Sequence, residues 1–396
     1  MADPVHVRPR PDHRRRHRPD PEEHHRPARA RPAAQRGEEL RPALDFGLSP
    51  PQELLRRSLR EHLDRNVPIA RVREIMESTT GHDGSLHREL GELGVCGLLV
   101  GEEQGGAGLG LLDSAVVAQE LGRAACPLSF HSAYVLAPLL LAAAEDVDRT
   151  EPLLQRLAAG ELLLSPVLGA VPGGDGLSCL APYVADAGVC ERLLVEADGE
   201  LHLVAPDAEG VAIETLLTVD ETRRLAEVRL DGAEAEASLG RLPISARQRA
   251  LQAARVALAA DAFGAAQRGL EAAVDYAKQR QQFGRVIGSF QAVQHVCAEV
   301  FAELDPVQSL LWYAAHAWDE SSAPEDAAVR ELVSLAKAHA CDTATFAVTQ
   351  ATQVFGGIGF TWECDMHLWY KRVGYDRQVL GGPEELREMA AAAHLG

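Results

Sequence analysis

Tyr276-Ala277-Lys278-Gln279-Arg280-Gln281-Gln282-Phe283-Gly284 closes one long helical period, and Gln353-Val354-Phe355-Gly356-Gly357-Ile358-Gly359-Phe360 closes another about 70 residues later. In each, glycine follows the last periodic residue, where a helix ends easily because glycine adopts left-handed backbone without a Cβ clash. Arg280 adds a cation at a helix C-terminus, where the macrodipole favours positive charge. Ile287-Gly288-Ser289-Phe290-Gln291 then opens the next helix. Working outward, the apolar period runs through 247–280, 290–320 and 325–355, lengths that suit a four-helix bundle over residues 241–396.

Residues 43–160 also read as a helical domain. Leu54, Leu55, Leu59 and Leu63 recur as on one buried face, and Leu86, Leu90 and Leu93 repeat the spacing before Gly94. The run GEEQGGAGLG at 101–110 is a turn leading into a helix from Leu112 through Leu121. Such a turn can cradle phosphate at a helix N-terminus, but adjacent Glu102 and Glu103 favour a structural connector. Between 161 and 240 the pattern changes to short apolar runs at 162–164, 193–195, 201–204 and 226–230, bounded by Gly, Pro and Asp as small strands are. The fold class is therefore mainly α with a small inserted β-domain.

Composition narrows the function classes. Cys96, Cys126, Cys179, Cys190, Cys297, Cys341 and Cys364 are scattered with no CxxC pair, which argues against a disulfide framework or metal site and fits a cytoplasmic protein. The longest apolar stretch, 135–144, is too short to span a bilayer and contains Pro138, so no membrane association is expected. Residues 1–42 hold eleven arginines against seven acidic residues, a surplus of four within a net charge of −19, so the remainder carries −23. An acidic body repels nucleic acid phosphate. The tail itself has almost no large apolar residues and reads as disordered and basic.

Taken together, RxxFG at Arg280 to Gly284 and QxxGG at Gln353 to Gly357 resemble the C-terminal domain of the acyl-CoA dehydrogenase family in type, order and spacing. The resemblance implies a helical N-terminal domain, a β-barrel-like middle domain and a C-terminal four-helix bundle. It implies FAD as cofactor, with Arg280, Phe283, Gln291, Gln353, Gly356 and Gly357 around the ADP half of a flavin whose ring lies mainly in a neighbouring subunit. A guanidinium can bond pyrophosphate in a fork, and glycines let backbone amides approach closely. It implies an acyl-CoA substrate and an electron-transferring flavoprotein as electron acceptor.

Dehydrogenation between Cα and Cβ of an acyl-CoA needs a base for the α-proton. Family members carry a glutamate either near the C-terminus, where the matching position here is Gly381, or on the long helix before an arginine, where it is Ala254. Neither residue can accept a proton. Glu384 and Glu385 are the nearest alternatives, although Pro383 and the following helix are expected to point them away. The β-domain departs in the same direction: Ser165-Pro166-Val167-Leu168-Gly169 replaces the family's threonine-glutamate-proline segment.

Loss of the base and ring contacts beside retained ADP contacts resembles a branch of the family built from two unlike subunits, as a heterotetramer. Gly359-Phe360-Thr361-Trp362-Glu363, Asp365-Met366-His367-Leu368 and the run 220–226 resemble the actinobacterial steroid and bulky-acyl members of that branch. A second acyl-CoA dehydrogenase subunit is the implied partner.

Overall fold

Ser49 opens the first helix through a capping box: the Gln52 N–H donates to Ser49 Oγ (3.5 Å), and the Ser49 N–H donates to Gln52 Oε1 (3.0 Å). The computed structural model describes residues 47–396 except 174, 175, 322, 324, 325 and 396; the tail expected at 1–42 lies outside the described residues. Six helices come first, α1 (Pro50–Asn66), α2 (Ile69–Glu77), α3 (Gly84–Glu92), α4 (Leu111–Arg123), α5 (Ala137–Ala143) and α6 (Val147–Ala158). A π-type turn, His131–Leu136, leads into α5. Leu55, Leu59 and Leu63 recur every four residues on the inner side of α1. Leu54 does not join them as expected: one residue turns it by roughly 100°, and it is 54% exposed. Leu93 is likewise exposed, because α3 has already ended at Glu92.

The 101–110 stretch is a connector, as its acidic residues suggest. Its short turn at Glu102–Gln104 ends on left-handed Gly105. The N-terminus of α4 that follows is filled from within the protein, because Asp319 accepts from the N–H groups of Leu111 (2.7 Å) and Leu112 (3.1 Å).

Seven strands follow: β1 (Leu164–Gly173), β2 (Gly176–Ala185), β3 (Arg192–Ala197), β4 (Glu200–Val204), β5 (Val211–Thr215), β6 (Leu225–Ala233) and β7 (Ala237–Arg241). Their order is β5-β6-β2-β1-β3-β4-β7. β1 runs parallel to β3, but it pairs with β2 only from Val171 to Gly173, so these two strands diverge below their shared tip.

The chain then returns to helix with α7 (Ile244–Gln279). A two-strand hairpin of β8 (Gln281–Gln282) and β9 (Arg285–Val286) separates it from α8 (Gln291–Glu320), α9 (Ala327–Phe355), α10 (Met366–Gln378) and α11 (Pro383–Leu395). α8 and α10 each pack on the α7–α9 pair, and α11 lies along α9. The alanine-rich face of α7 lets α4 approach to backbone contact. A Cβ at Gly264 would lie 1.9 Å from Gln119 O, and one at Gly122 would lie 2.1 Å from Asp261 O. Only glycine fits at either crossing point. The alignment fixes α7 against α4, and with it the end of the bundle described next.

Candidate functional site

Phe283 and Gly284 form the two-residue loop between β8 and β9, with φ of +52° and +78°. Positive φ at both positions is the geometry of a type I′ hairpin turn, which normally selects glycine or asparagine. Phe283 holds this backbone with its ring 92% exposed, meeting Phe290 edge-on with centroids 6.2 Å apart. Arg280 caps α7 in extended conformation, its carbonyl accepting from the Ile287 N–H (2.7 Å). Its exposed guanidinium has no ion-pair partner among the described residues.

The ring of Tyr276 stacks on that of Phe355 with centroids 4.6 Å apart. This contact joins the C-terminal ends of α7 and α9, one turn before Arg280 and immediately before Gly356. Gln291 begins α8 at the same end, and the α8 N-terminus has no side-chain cap. Arg280, Phe283, Gln291, Gln353 and Gly357 are exposed and Gly356 is half-buried. Gly356 has φ +67°, and a Cβ placed on it or on Gly357 would meet no atom within 4 Å. The end of the bundle therefore presents an unpaired guanidinium, an uncapped helix N-terminus and open glycine backbone together. That combination suits a phosphate-bearing ligand.

The two positions where a carboxylate was sought are quite different. Ala254 is fully buried in α7. Gly381 follows Leu380 in a loop with φ of +58° and +107° at the two residues. Buried Lys337 and half-buried Arg255 clamp this loop. Lys337 Nζ donates to Val379 O (2.7 Å) and Gly381 O (2.8 Å), and Arg255 Nε donates to Leu380 O (2.9 Å). Burial lowers the Lys337 pKa from its ordinary value. Glu384 and Glu385 are exposed on α11. Glu385 Oε2 lies 3.5 Å from where a Gly381 Cβ would be.

The divergence of β1 from β2 opens a wedge-shaped cavity of about 310 Å³ whose lining includes His131, Pro166, Leu168, Tyr183, Tyr375 and Leu380, but no carboxylate. Burial, and then the charge of Arg223, lower the His131 pKa well below its usual value, so the ring is neutral. Burial raises the Tyr375 hydroxyl, which has no hydrogen-bond partner among the described residues. Ser165 is turned inward and donates to Ala185 O (2.8 Å), tying β1 to β2 at the base of the wedge.

Residues 49–161 match the acyl-CoA dehydrogenase N-terminal domain and residues 244–396 the acyl-CoA dehydrogenase C-terminal domain. The acyl-CoA dehydrogenase IpdE2 of Mycobacterium tuberculosis is 35% identical over 344 residues, 86% of this chain and 96% of that protein. The chain belongs to the acyl-CoA dehydrogenase family. Among solved structures, a variant of the Tcur3481–Tcur3483 steroid ACAD is 28% identical with a TM-score of 0.78, over 87% of this chain and 98% of that one. The ChsE4–ChsE5 complex from Mycobacterium tuberculosis, at 23% identity, shares the fold with a TM-score of 0.80 over 89% and 99% of the two chains.

The chain also contains a buried charge cluster that the sequence reading did not assemble. Arg372 donates to Asp220 Oδ2 (3.0 Å), Asp261 Oδ1 (3.2 Å), Thr222 Oγ1 (2.5 Å) and Cys126 O (2.9 Å). Arg223 donates to Asp261 Oδ2 (2.7 Å) and Cys126 O (2.8 Å). Burial, and then the charge of Asp261, raise the Asp376 carboxyl well above its ordinary range. Neutral Asp376 can share its proton with Asp261, and two guanidiniums then face two carboxylates. The run at 220–226, singled out for its resemblance, thus bolts the strand region to α7, α10 and the loop that follows α4. His367 stacks on Trp362 with centroids 4.7 Å apart. Arg73 joins them, its guanidinium 5.4 Å from the Trp362 ring centroid and bonded to Asp365 (2.8 Å). No helix among the described residues is long and apolar enough to cross a membrane.

Proposed function

We propose that the chain is the supporting subunit of a two-subunit, FAD-dependent acyl-CoA dehydrogenase. In this reading its 241–396 region completes the ADP half of a flavin site, and a partner subunit supplies the flavin ring contacts and the catalytic base. One asymmetry carries the proposal. Arg280, Phe283, Gln291, Gln353, Gly356 and Gly357 remain open at one end of the bundle, while Gly381 and Ala254 leave both expected base positions without a carboxylate.

The residues fit the ADP half. Arg280 would bond pyrophosphate oxygens, the first N–H groups of α8 would face the same charge, and Gly356 and Gly357 would admit close backbone approach. The ring side fits less well, because the Ser165 hydroxyl is committed to Ala185 O inside the fold. When bound, the flavin supplies the acceptor for the hydride leaving Cβ of the acyl group. Removal of the α-proton falls to the partner, since no carboxylate lines the wedge beside Leu380. The paired names of the Tcur3481–Tcur3483 and ChsE4–ChsE5 relatives support two unlike subunits, which this reading assembles as a heterotetramer. An electron-transferring flavoprotein is the acceptor this reading implies.

A second reading, a self-sufficient enzyme with a displaced base, rests on Glu385 Oε2 standing 3.5 Å from the Gly381 Cβ position. Glu385 does not line the wedge, which favours the first reading. Purifying the chain with and without a base-bearing partner separates the two: the supporting subunit alone retains little flavin and does not oxidise acyl-CoA. Turnover by the lone chain that disappears in Glu385→Gln would establish the second.

A further inference from the structure

The segment 358–365 leads from the glycines that end α9 to the start of α10, and a side chain of the N-terminal helical domain holds it. Arg73 of α2 donates from Nη2 to Trp362 O (2.9 Å) and to Asp365 Oδ1 (2.8 Å), and from Nε to the same carboxylate oxygen (3.1 Å). His367 Nε2 stands 3.4 Å from that Nη2. A guanidinium has donors and no acceptor, so this contact requires a lone pair on Nε2 and therefore a neutral imidazole. A proton on Nε2 would set two cationic donors against each other. The other charges facing the ring do little to offset this. Lys371, one turn along α10, adds a second cation, and its own carboxylate partner is Glu221 (3.8 Å). His367 also lies in the first turn of α10, where the helix dipole disfavours positive charge. Asp365 favours an imidazolium but is already engaged by Arg73, and Glu363 is exposed to solvent. Burial, then Lys371 and Arg73, hold the His367 pKa below its ordinary value.

We propose that His367 is a pH-operated latch between α2 and the 358–365 segment: neutral, it completes the Arg73 contact that closes the segment on the N-terminal domain, and protonated, it opens that contact. An imidazole freed by opening takes its proton near the ordinary pKa of about 6.5, whereas the closed one resists it. Closure is therefore fully favoured above about pH 6.5 and is lost as pH falls below it, with the open fraction rising by up to about tenfold per pH unit. Gly356 and Gly357 run directly into this segment, so acid loosens the end of the bundle that also presents Arg280. Neither flavin nor partner is needed for the latch, so its test is independent of the supporting-subunit reading.

The test is hydrogen exchange of the full-length chain, read by mass spectrometry on peptides covering 356–367 and corrected for the pH dependence of intrinsic exchange. The reporters lie inside the segment: the Thr361 N–H donates to Ile358 O (3.0 Å) and the Cys364 N–H to Thr361 O (3.3 Å). Their protection should fall by up to about tenfold between about pH 7.5 and about pH 5.5, while peptides from the middle of α7 do not follow. His367→Gln offers Arg73 an amide oxygen but cannot titrate, so its protection should stay level across that range. Arg73→Met, which removes the closing contact itself, should leave the segment weakly protected at every pH. Wild-type protection that does not change with pH overturns the proposal, as does an acid step that persists in His367→Gln or wild-type protection in Arg73→Met.

Discussion

Replacing Arg280 with alanine in the assembled enzyme isolates the phosphate contact from the fold. The guanidinium is exposed, and its side chain makes no hydrogen bond or ion pair among the described residues, so truncation opens no cavity and strands no partner. Surface changes of this kind stay within about 0.5 kcal/mol of wild type. A charge-assisted hydrogen bond to pyrophosphate contributes about 1.5 to 3 kcal/mol, so losing one should weaken FAD binding by about 10- to 150-fold. Losing both arms of a fork exceeds that range. The assay compares flavin absorbance with protein absorbance after gel filtration, beside a melting curve of the same sample. The expected pair of results is a largely colourless complex with an unchanged transition. Full flavin retention would refute the role given to Arg280, and flavin loss accompanied by a collapsed transition would show that the residue serves the fold instead.

Gly381→Glu should not rescue activity in the lone chain. Its φ of +107° strains any side chain, and the new Cβ would stand 3.5 Å from Glu385 Oε2. We expect a stability loss of about 1 to 3 kcal/mol by chemical denaturation and no acyl-CoA oxidation; efficient single-chain turnover would contradict the account. Asp376→Asn tests the buried cluster. Because burial raises the folded pKa of Asp376 above the unfolded value of about 3.9, its contribution is fully present below that value and is lost as pH rises toward the folded pKa. The amide mimics the protonated acid, so the melting temperature of Asp376→Asn relative to wild type should climb as pH rises above about 4. A gap that does not change with pH would show that Asp376 does not titrate as described.

Much of the bundle was legible because its signals are local. Gly356 marks the end of α9 by backbone conformation alone, whereas Gly284 lies beyond α7 in the β8–β9 turn, and α7, α8 and α9 begin and end within about three residues of their periodic runs. Strands β2, β5 and β7 were not read. β2 contains Pro182 and exposes Leu180 and Tyr183, while β7 has Leu239 as its one large apolar residue, so neither carries a clean apolar run. Their place comes from hydrogen bonding to β6 and β4, which is not a property of the segments themselves. Gathering the exposed residues at one bundle end depends on the Tyr276–Phe355 stack, a contact across 79 positions that spacing could only suggest. The charge cluster did leave a trace: Asp261 interrupts the alanine-rich core face of α7 and is 3% exposed. A buried carboxylate requires cationic partners, and Arg223 and Arg372 were available in sequence. What the sequence lacks is any sign that they converge.

Flavin stoichiometry tests the central claim most directly. The chain and a base-bearing acyl-CoA dehydrogenase partner would be co-purified, the complex weighed by light scattering, and FAD measured against total protein. If this chain supplies ADP-side contacts to a flavin whose ring belongs to its partner, the complex holds one FAD per unlike pair, and the chain alone is colourless or faintly yellow. A homomer of this chain carrying one FAD per subunit and oxidising acyl-CoA would contradict the account.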